Sequence, residues 1–392
     1  MADKLILRPA WAEIDTTALR NNFRAVREWD KQKTGGAAQF AAIVKADAYG
    51  HGMLEVAHLL LKEGADWLAV ATIPEGMLLR KDGIGAPILI LGLCPSETFS
   101  YALEHNLTLP ISSLDQAKAL AETAKQLTEK ETSRGGKPVC APFFLVMDSG
   151  MGRIGLRPEA IDEACAILAL PGITCTGIFT HFAESDDPSE KSVAFTQKQI
   201  AGFRDFVSKL KEKGYDPGIL SLANSGACLD YPEVCMGLNR PGIILYGYHP
   251  MGPDGKSPIP LTPVMSVKAK LTLVKRVPAG TPIGYGCAYV TDKETLVGTV
   301  PVGYADGYPR QLSNKGAVLV NGKRCPIIGN VCMDQFMIDL SAVPKAKAWD
   351  EVVLLGTDGG EAIDADEIAR EADTISFEIL CGLGQRLERF YK

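Results

Sequence analysis

Between residue 40 and about residue 243 the chain alternates two hydrophobic rhythms. Short runs rich in β-branched residues read as strands: "FAAIVKA", "WLAVAT", "PILILG", "LTLPIS", "PFFLVMD", "ITCTGIFTH", "GILSLA" and "MGLNRPG". Amphipathic stretches at 51–62, 114–128, 158–169 and 190–213 read as helices between many of them. Eight strands with crossovers predict a closed (β/α)8 barrel, an α/β fold of the TIM type whose functional groups gather at the C-terminal strand ends. The rhythm changes after "IILYGYHPMGPDGKSPIP", a loop rich in Gly and Pro. From about 263 to 356 the residues alternate in strand fashion, and Asn321-Gly322 signals a tight hairpin. The expected division is a barrel domain over 1–248 and a mostly β domain over 249–392.

Composition leaves this architecture in place and narrows the function. A chain of 392 residues, 46% of them hydrophobic, can bury a large core and more than one domain. The net charge of −6 is spread out, without the clustered Lys and Arg of a nucleic-acid surface. The opening "MADKLILRPAWAEID" lacks the apolar centre of a signal peptide, and runs such as "APILILGLC" are too short to span a bilayer. The cytoplasm is the expected compartment. Ten cysteines without a C-x-x-C pair read as reduced core residues, and five dispersed histidines give no metal-ligand spacing.

The chemical question lies in "AAIVKADAYGHG", residues 41 to 52, where an apolar strand ends on Lys45. Taken alone, Lys45 reads as a surface cation. On a barrel, however, Arg153 follows the fifth strand, His181 ends the sixth, Asn224 and Ser225 follow the seventh, and Arg240 lies on the eighth beside Gly242. One lysine, two arginines, a histidine and phosphate-capable backbone at one mouth suit an anionic, phosphorylated aldehyde held as an imine, and pyridoxal phosphate is the candidate. Ser225 stands at a strand-to-helix turn, and Gly242 in "RPGI" permits close backbone approach. Singly these signals are weak: a lone His181 is more often a satisfied core histidine, and Asn224-Ser225 could be only a helix cap. The rival "GMGRIG" at 150–155 fits a dinucleotide motif, but its helical pattern begins later, near Pro158, and the next strand ends in histidine instead of an acid.

These segments together resemble those of the alanine racemases, pyridoxal-phosphate enzymes built from a barrel and a β domain, and the resemblance covers nearly the whole chain. It rests on "VKADAYGHG", "MDSGMGRIG", "FTHFAESD", "ANSGA" and "NRPGIILYG", followed in order by "IGYGCAYV", "VPVGYADGYPR" and "GNVCMDQFMIDL". The resemblance implies that Lys45 carries the cofactor, that Tyr49, Ser225, Gly242 and Ile243 hold its phosphate, and that Arg240 faces the pyridine nitrogen. His181 and Asn224 would belong to the same cofactor site. Arg153 would orient cofactor and substrate carboxylate. Tyr285, the second base, and Met333 would reach the site from the other subunit of a homodimer, while Tyr304, Arg310 and Ile375 would line the entrance. The His181–Arg240 pair would supply positive charge for Tyr285.

Two positions depart from the family. Val146 stands where many relatives carry a carbamylated lysine that braces the arginine, so Arg153 must find another anion. Phe377 stands where a tyrosine usually touches the phosphate. The leading expectation is interconversion of L- and D-alanine, the latter for peptidoglycan. A serine or broad-specificity racemase of the same build is the nearest alternative, and a non-catalytic pyridoxal-phosphate carrier a more distant one, because carriers resemble the barrel alone.

Overall fold

The structure, a computed structural model, describes residues 7–384 and 386–392. Residues 1–6, part of the opening segment read above for a leader, lie outside the described residues. The first strand, β1 (Ala10–Ile14), leads into the helix Thr16–Thr34, started by Asp15, whose Oδ1 accepts the N–H groups of Thr17 at 2.9 Å and Ala18 at 2.8 Å. Then come β2 (Gln39–Ile43), β3 (Trp67–Val70), β4 (Ile88–Ile90), β5 (Leu107–Ile111), β6 (Pro142–Val146), β7 (Thr174–Phe179), β8 (Ile219–Ser221) and β9 (Leu238–Asn239). β2 to β9 form one parallel sheet in the order β8-β7-β6-β5-β4-β3-β2-β9. The circle closes where the Arg240 N–H donates to Ala223 O at 2.9 Å and Ser221 Oγ–H donates to Leu238 O at 2.6 Å.

All eight barrel strands anticipated from the pattern are present, and each stops one to three residues short of its apolar run. The excess residues, Lys45, Asp148 and His181 among them, turn out of the ladder into the mouth. Helices anticipated from periodicity appear at Met53–Lys62, Leu114–Thr132, Ile161–Leu168 and Glu190–Glu212. Ser113 and Ser189 cap the second and fourth of these, each hydroxyl accepting a backbone N–H three residues on.

The second domain is mostly β. Its sheet runs from Leu273–Val277 through Thr295–Val300, Phe336–Asp339, Lys323–Ile328, Ala317–Val320 and Glu351–Asp358 to β10 (Met265–Lys270). The hairpin turn is at Asn321 and Gly322, with φ of 49° and 71°. Beyond β10 the sheet continues with β1 and ends on Glu388–Tyr391. β1 pairs antiparallel with β10 and parallel with that last strand, so residues 10–14 lie in the second sheet although they precede the barrel. A five-residue strand looks the same in sequence whichever sheet takes it. Two short helices, Ala365–Ala372 and Ser376–Gly382, return the chain to the barrel mouth.

Candidate active site

β2 ends at Ile43, and Lys45 opens the turn that follows. Ala46, Asp47, Ala48 and Tyr49 have φ of 52°, 54°, 55° and 52°, four consecutive left-handed residues without a glycine. A left-handed L-residue costs roughly 1–2 kcal/mol, so the run is strained by roughly 4–8 kcal/mol and must be held by its surroundings. On the barrel side the Ala46 N–H donates to Glu75 Oε1 at 2.7 Å, and the Met53 N–H donates to Asp47 Oδ1 at 2.8 Å. His51, fully buried, has Nδ1 3.0 Å from Ala48 O and 2.9 Å from Tyr49 O, so Nδ1 carries the proton and donates. Burial pushes its pKa down to about 4, which keeps the ring neutral.

The turn presents Lys45 to a cavity of about 650 Å³ shared with Tyr49, Arg153, His181, Ser225 and Arg240. Burial, then the nearby Arg153 charge, hold the Lys45 ammonium below its ordinary pKa; Arg240 acts in the same direction, while Cys381 and Glu75 oppose it. Arg240, 4% exposed, donates to Thr180 O at 2.6 Å and to Ser221 Oγ, and lies 5.4 Å from the Phe179 ring centre. Its partners are carbonyls, a hydroxyl and a ring, with no carboxylate among them. Burial lowers its pKa only to about 10, so it remains a cation at neutral pH.

His181 behaves differently from the sequence expectation. Burial first, then the charges of Arg240, Arg153 and Lys45, drive its pKa down to about 3. It is a neutral imidazole, and the positive charge expected of a His181–Arg240 pair belongs to the arginine alone. Asn224 caps the short helix Ser225–Asp230: its Oδ1 accepts the Ala227 N–H at 3.0 Å and the Ser185 hydroxyl at 2.8 Å. Ser225 Oγ accepts the Gly242 N–H at 2.8 Å, leaving its proton to donate. A Cβ on Gly242 would come within 2.7 Å of Tyr49 Oη, so any larger residue there would displace that hydroxyl. Ile243 is fully buried directly behind it. The Tyr49 ring is tilted on Tyr246 at 4.9 Å and lies 6.1 Å from Phe377.

Arg153 sits in the loop after β6. Asp148 Oδ1 accepts the N–H groups of Gly150 and Gly152, both at 3.0 Å, and its other oxygen pairs with Arg157 at 3.1 Å. The glycines of "GMGRIG" thus make a tight loop, with the following helix starting only at Ile161, and not a dinucleotide turn. Val146 is buried and apolar, and among the described residues Arg153 makes no hydrogen bond or ion pair. Its guanidinium is free for an anion.

Phe377 and Ile375 also line the cavity, and so does Cys381, which sequence reasoning missed. The signal was present, since Cys381 lies four residues after Phe377 and so on the same face of the helix Ser376–Gly382. Tyr285, Met333, Tyr304 and Arg310 do not reach this cavity within the chain. Tyr285 is 76% exposed and Met333 53% exposed, while Tyr304 and Arg310 border a separate surface cavity of about 410 Å³.

The site matches what pyridoxal phosphate requires. Lys45 offers an amine kept below its ordinary pKa, Arg240 a donor that retains its protons, and Gly242 a cradle that the Tyr49 hydroxyl faces. Among the described residues no group of three His, Cys, Asp or Glu side chains could hold a metal ion, and no helix is long and apolar enough to cross a membrane.

Residues 14–250 match the family model "Alanine racemase, N-terminal domain", and residues 264–391 match "Alanine racemase, C-terminal domain". The chain is 40% identical to an alanine racemase of Desulforamulus reducens over 98% of its own length and 99% of that protein's. Among solved structures it is similar to the alanine racemase of Clostridium difficile 630, with TM-score 0.89 and 37% identity, covering 99% of this chain and 97% of that one. It is also similar to the Bartonella henselae alanine racemase with covalently bound pyridoxal phosphate, with TM-score 0.82 and 28% identity, covering 98% and 99%.

Proposed function

The chain belongs to the alanine racemase family, an isomerase family, and on that premise we propose that it moves the α-hydrogen of alanine between faces with Lys45 and Tyr285 as the two bases. The observation that carries this reading is the convergence of Lys45, Arg153 and Arg240 in one cavity, two of them with perturbed pKa values. When bound on Lys45, pyridoxal 5'-phosphate supplies the electron sink that makes the α-hydrogen acidic.

This chain's residues do the rest. Tyr49, Ser225, Gly242 and Ile243 would hold the phosphate, with Asn224 fixing the helix start and Phe377 closing the ring side. Arg240 would face the pyridine nitrogen; because it keeps its protons, it would donate a hydrogen bond without delivering a proton and so would limit how far negative charge spreads. Arg153, without a hydrogen-bond or ion-pair partner among the described residues, would take the substrate carboxylate. Racemisation needs a proton removed on one face and returned on the other, which one base cannot easily do. Lys45 Nζ serves one face, helped by its lowered pKa. The partner subunit's Tyr285 serves the other. A free phenol has a pKa of about 10, so Tyr285 needs cations nearby, and Arg240 and Arg153 are those available.

Two exposed groups support a homodimer that shares its sites: Tyr285 and Met333 stand in solvent within one chain, although the family reading needs them at the mouth. Tyr304, Arg310 and Ile375 would line the entrance there. The proposed compartment is the cytoplasm, and the D-alanine formed would serve peptidoglycan. Chiral chromatography of products after incubation with a panel of L-amino acids tests the reading. D-alanine as the main product supports it; no inversion of any amino acid by cofactor-loaded protein refutes it.

A further inference from the structure

The left-handed turn after Lys45 is strained, and the barrel holds only one side of it. The other side rests on the last strand of the chain. Arg389 Nη2 pairs with Asp47 Oδ2 at 2.8 Å, and its Nε–H donates to Gly50 O at 2.9 Å. The Arg389 side chain is 18% exposed. Tyr391 Oη lies 3.1 Å from His51 O. Gly50, with φ of 78°, is seated so closely on the carbonyls of Leu380 and Leu383 that a Cβ would collide with both.

Asp47 therefore works in two directions. Oδ1 accepts the N–H that starts the following helix, while Oδ2 answers the C-terminal strand. We propose that Arg389 is a positioning residue for Lys45: by pinning Asp47 and Gly50 together it keeps residues 46–50 left-handed and so fixes where the lysine enters the cavity. A guanidinium suits this task because its planar fork can hold a carboxylate and a carbonyl at once. A small displacement of a reacting group lowers rate far more than it lowers binding, so loss of the clamp should act on kcat more than on KM. The inference rests on Lys45 being the cofactor lysine, as read above.

The test uses the full-length chain with Arg389→Met, which removes both arms, and Arg389→Lys, which keeps one charge without the fork. Three quantities are read: amide hydrogen exchange of residues 46–52 in cofactor-free protein, the rate at which added pyridoxal phosphate forms its imine on Lys45, and kcat and KM for alanine. In Arg389→Met, exchange of 46–52 should rise about tenfold or more while the barrel helices are unchanged. Imine formation and kcat should fall about 10- to 100-fold, with KM within about twofold of wild type. Arg389→Lys should recover part of each. A folded Arg389→Met chain with exchange or imine rate within about twofold of wild type overturns the proposal, as does faster exchange with unchanged kcat. If Arg389→Met does not fold, Asp47→Asn is judged by the same criteria. A wild-type chain that forms the imine but inverts no amino acid would refute the racemase reading, while exchange and imine rates would still decide the role of Arg389.

Discussion

The barrel mouth and the exposed rim of the second domain both carry residues of the proposed reaction, yet they differ in burial and in their neighbours. At the mouth, Lys45, His181 and Arg240 crowd into one cavity, and each has its pKa pushed down by burial and by its cationic neighbours. At the rim, Tyr285 and Met333 stand mostly in solvent, and neither touches that cavity. A side chain takes its reactivity from its surroundings, so the mouth is chemically prepared within one chain while the rim is not. Exposed side chains such as Tyr285 and Met333 are what a second surface would cover. On the reading proposed here, the missing surroundings of Tyr285 are the barrel mouth of another copy.

The sharpest way to break this contrast is to remove the centre of the prepared side. Lys45→Ala should lower alanine racemisation at least about 10⁴-fold, and borohydride reduction of the wild type should place the cofactor label on Lys45. A label on another lysine would remove the basis for the mouth assignment. Next, Tyr285→Phe should cost about 10²- to 10⁴-fold. Mixing equal amounts of the two inactive variants should restore about a quarter of wild-type activity, since half of the dimers are mixed and each holds one intact site. Confirmed subunit exchange without any recovery would show that the rim does not complete the mouth.

A smaller effect is expected where mouth and rim meet. Phe377→Tyr returns a phenol hydroxyl beside Tyr49, and a hydrogen bond to a charged group is worth roughly 1.5–3 kcal/mol. Pyridoxal phosphate should bind about tenfold or more tightly, and the alanine-to-serine ratio of kcat/KM should rise. Equal cofactor affinity and an equal ratio in both proteins would mark Phe377 as neutral.

A last effect concerns protons, and stability instead of activity. His51 and His181 have folded pKa values of about 4 and about 3, below the ordinary 6.5, so between those values and 6.5 the unfolded chain binds more protons than the folded one. Stability is therefore fully present above about pH 6.5 and falls as the pH drops, by up to roughly 1.4 kcal/mol per pH unit for each histidine. Denaturant titrations at pH 7, 6 and 5 should show this loss, and His51→Asn should flatten it. A wild type equally stable at all three would contradict the neutral histidines.

Much of the site was legible because a parallel barrel converts order along the chain into proximity at one mouth. Lys45 and His181 at strand ends and Arg240 on the eighth strand were each weak signals alone, and chain order on a barrel is what grouped them into one candidate mouth. Other features gave no sequence signal of comparable strength. "KADAY" reads as the start of a flexible loop, and nothing in it announces four left-handed residues; Arg389 and Tyr391 contact that turn from the opposite end of the chain.

Sequence alone carried the change from barrel rhythm to β rhythm, the crossovers between strands, and which residue types stand at the strand ends, because periodicity and chain order are local properties. Tertiary structure decided the rest: that residues 10–14 join the second sheet, that His181 is neutral while Arg240 stays charged, and that Lys45 leads a strained turn clamped by the last strand. Strand pairing, desolvation and the support of strained backbone all depend on atoms distant in sequence, which only the folded chain brings together.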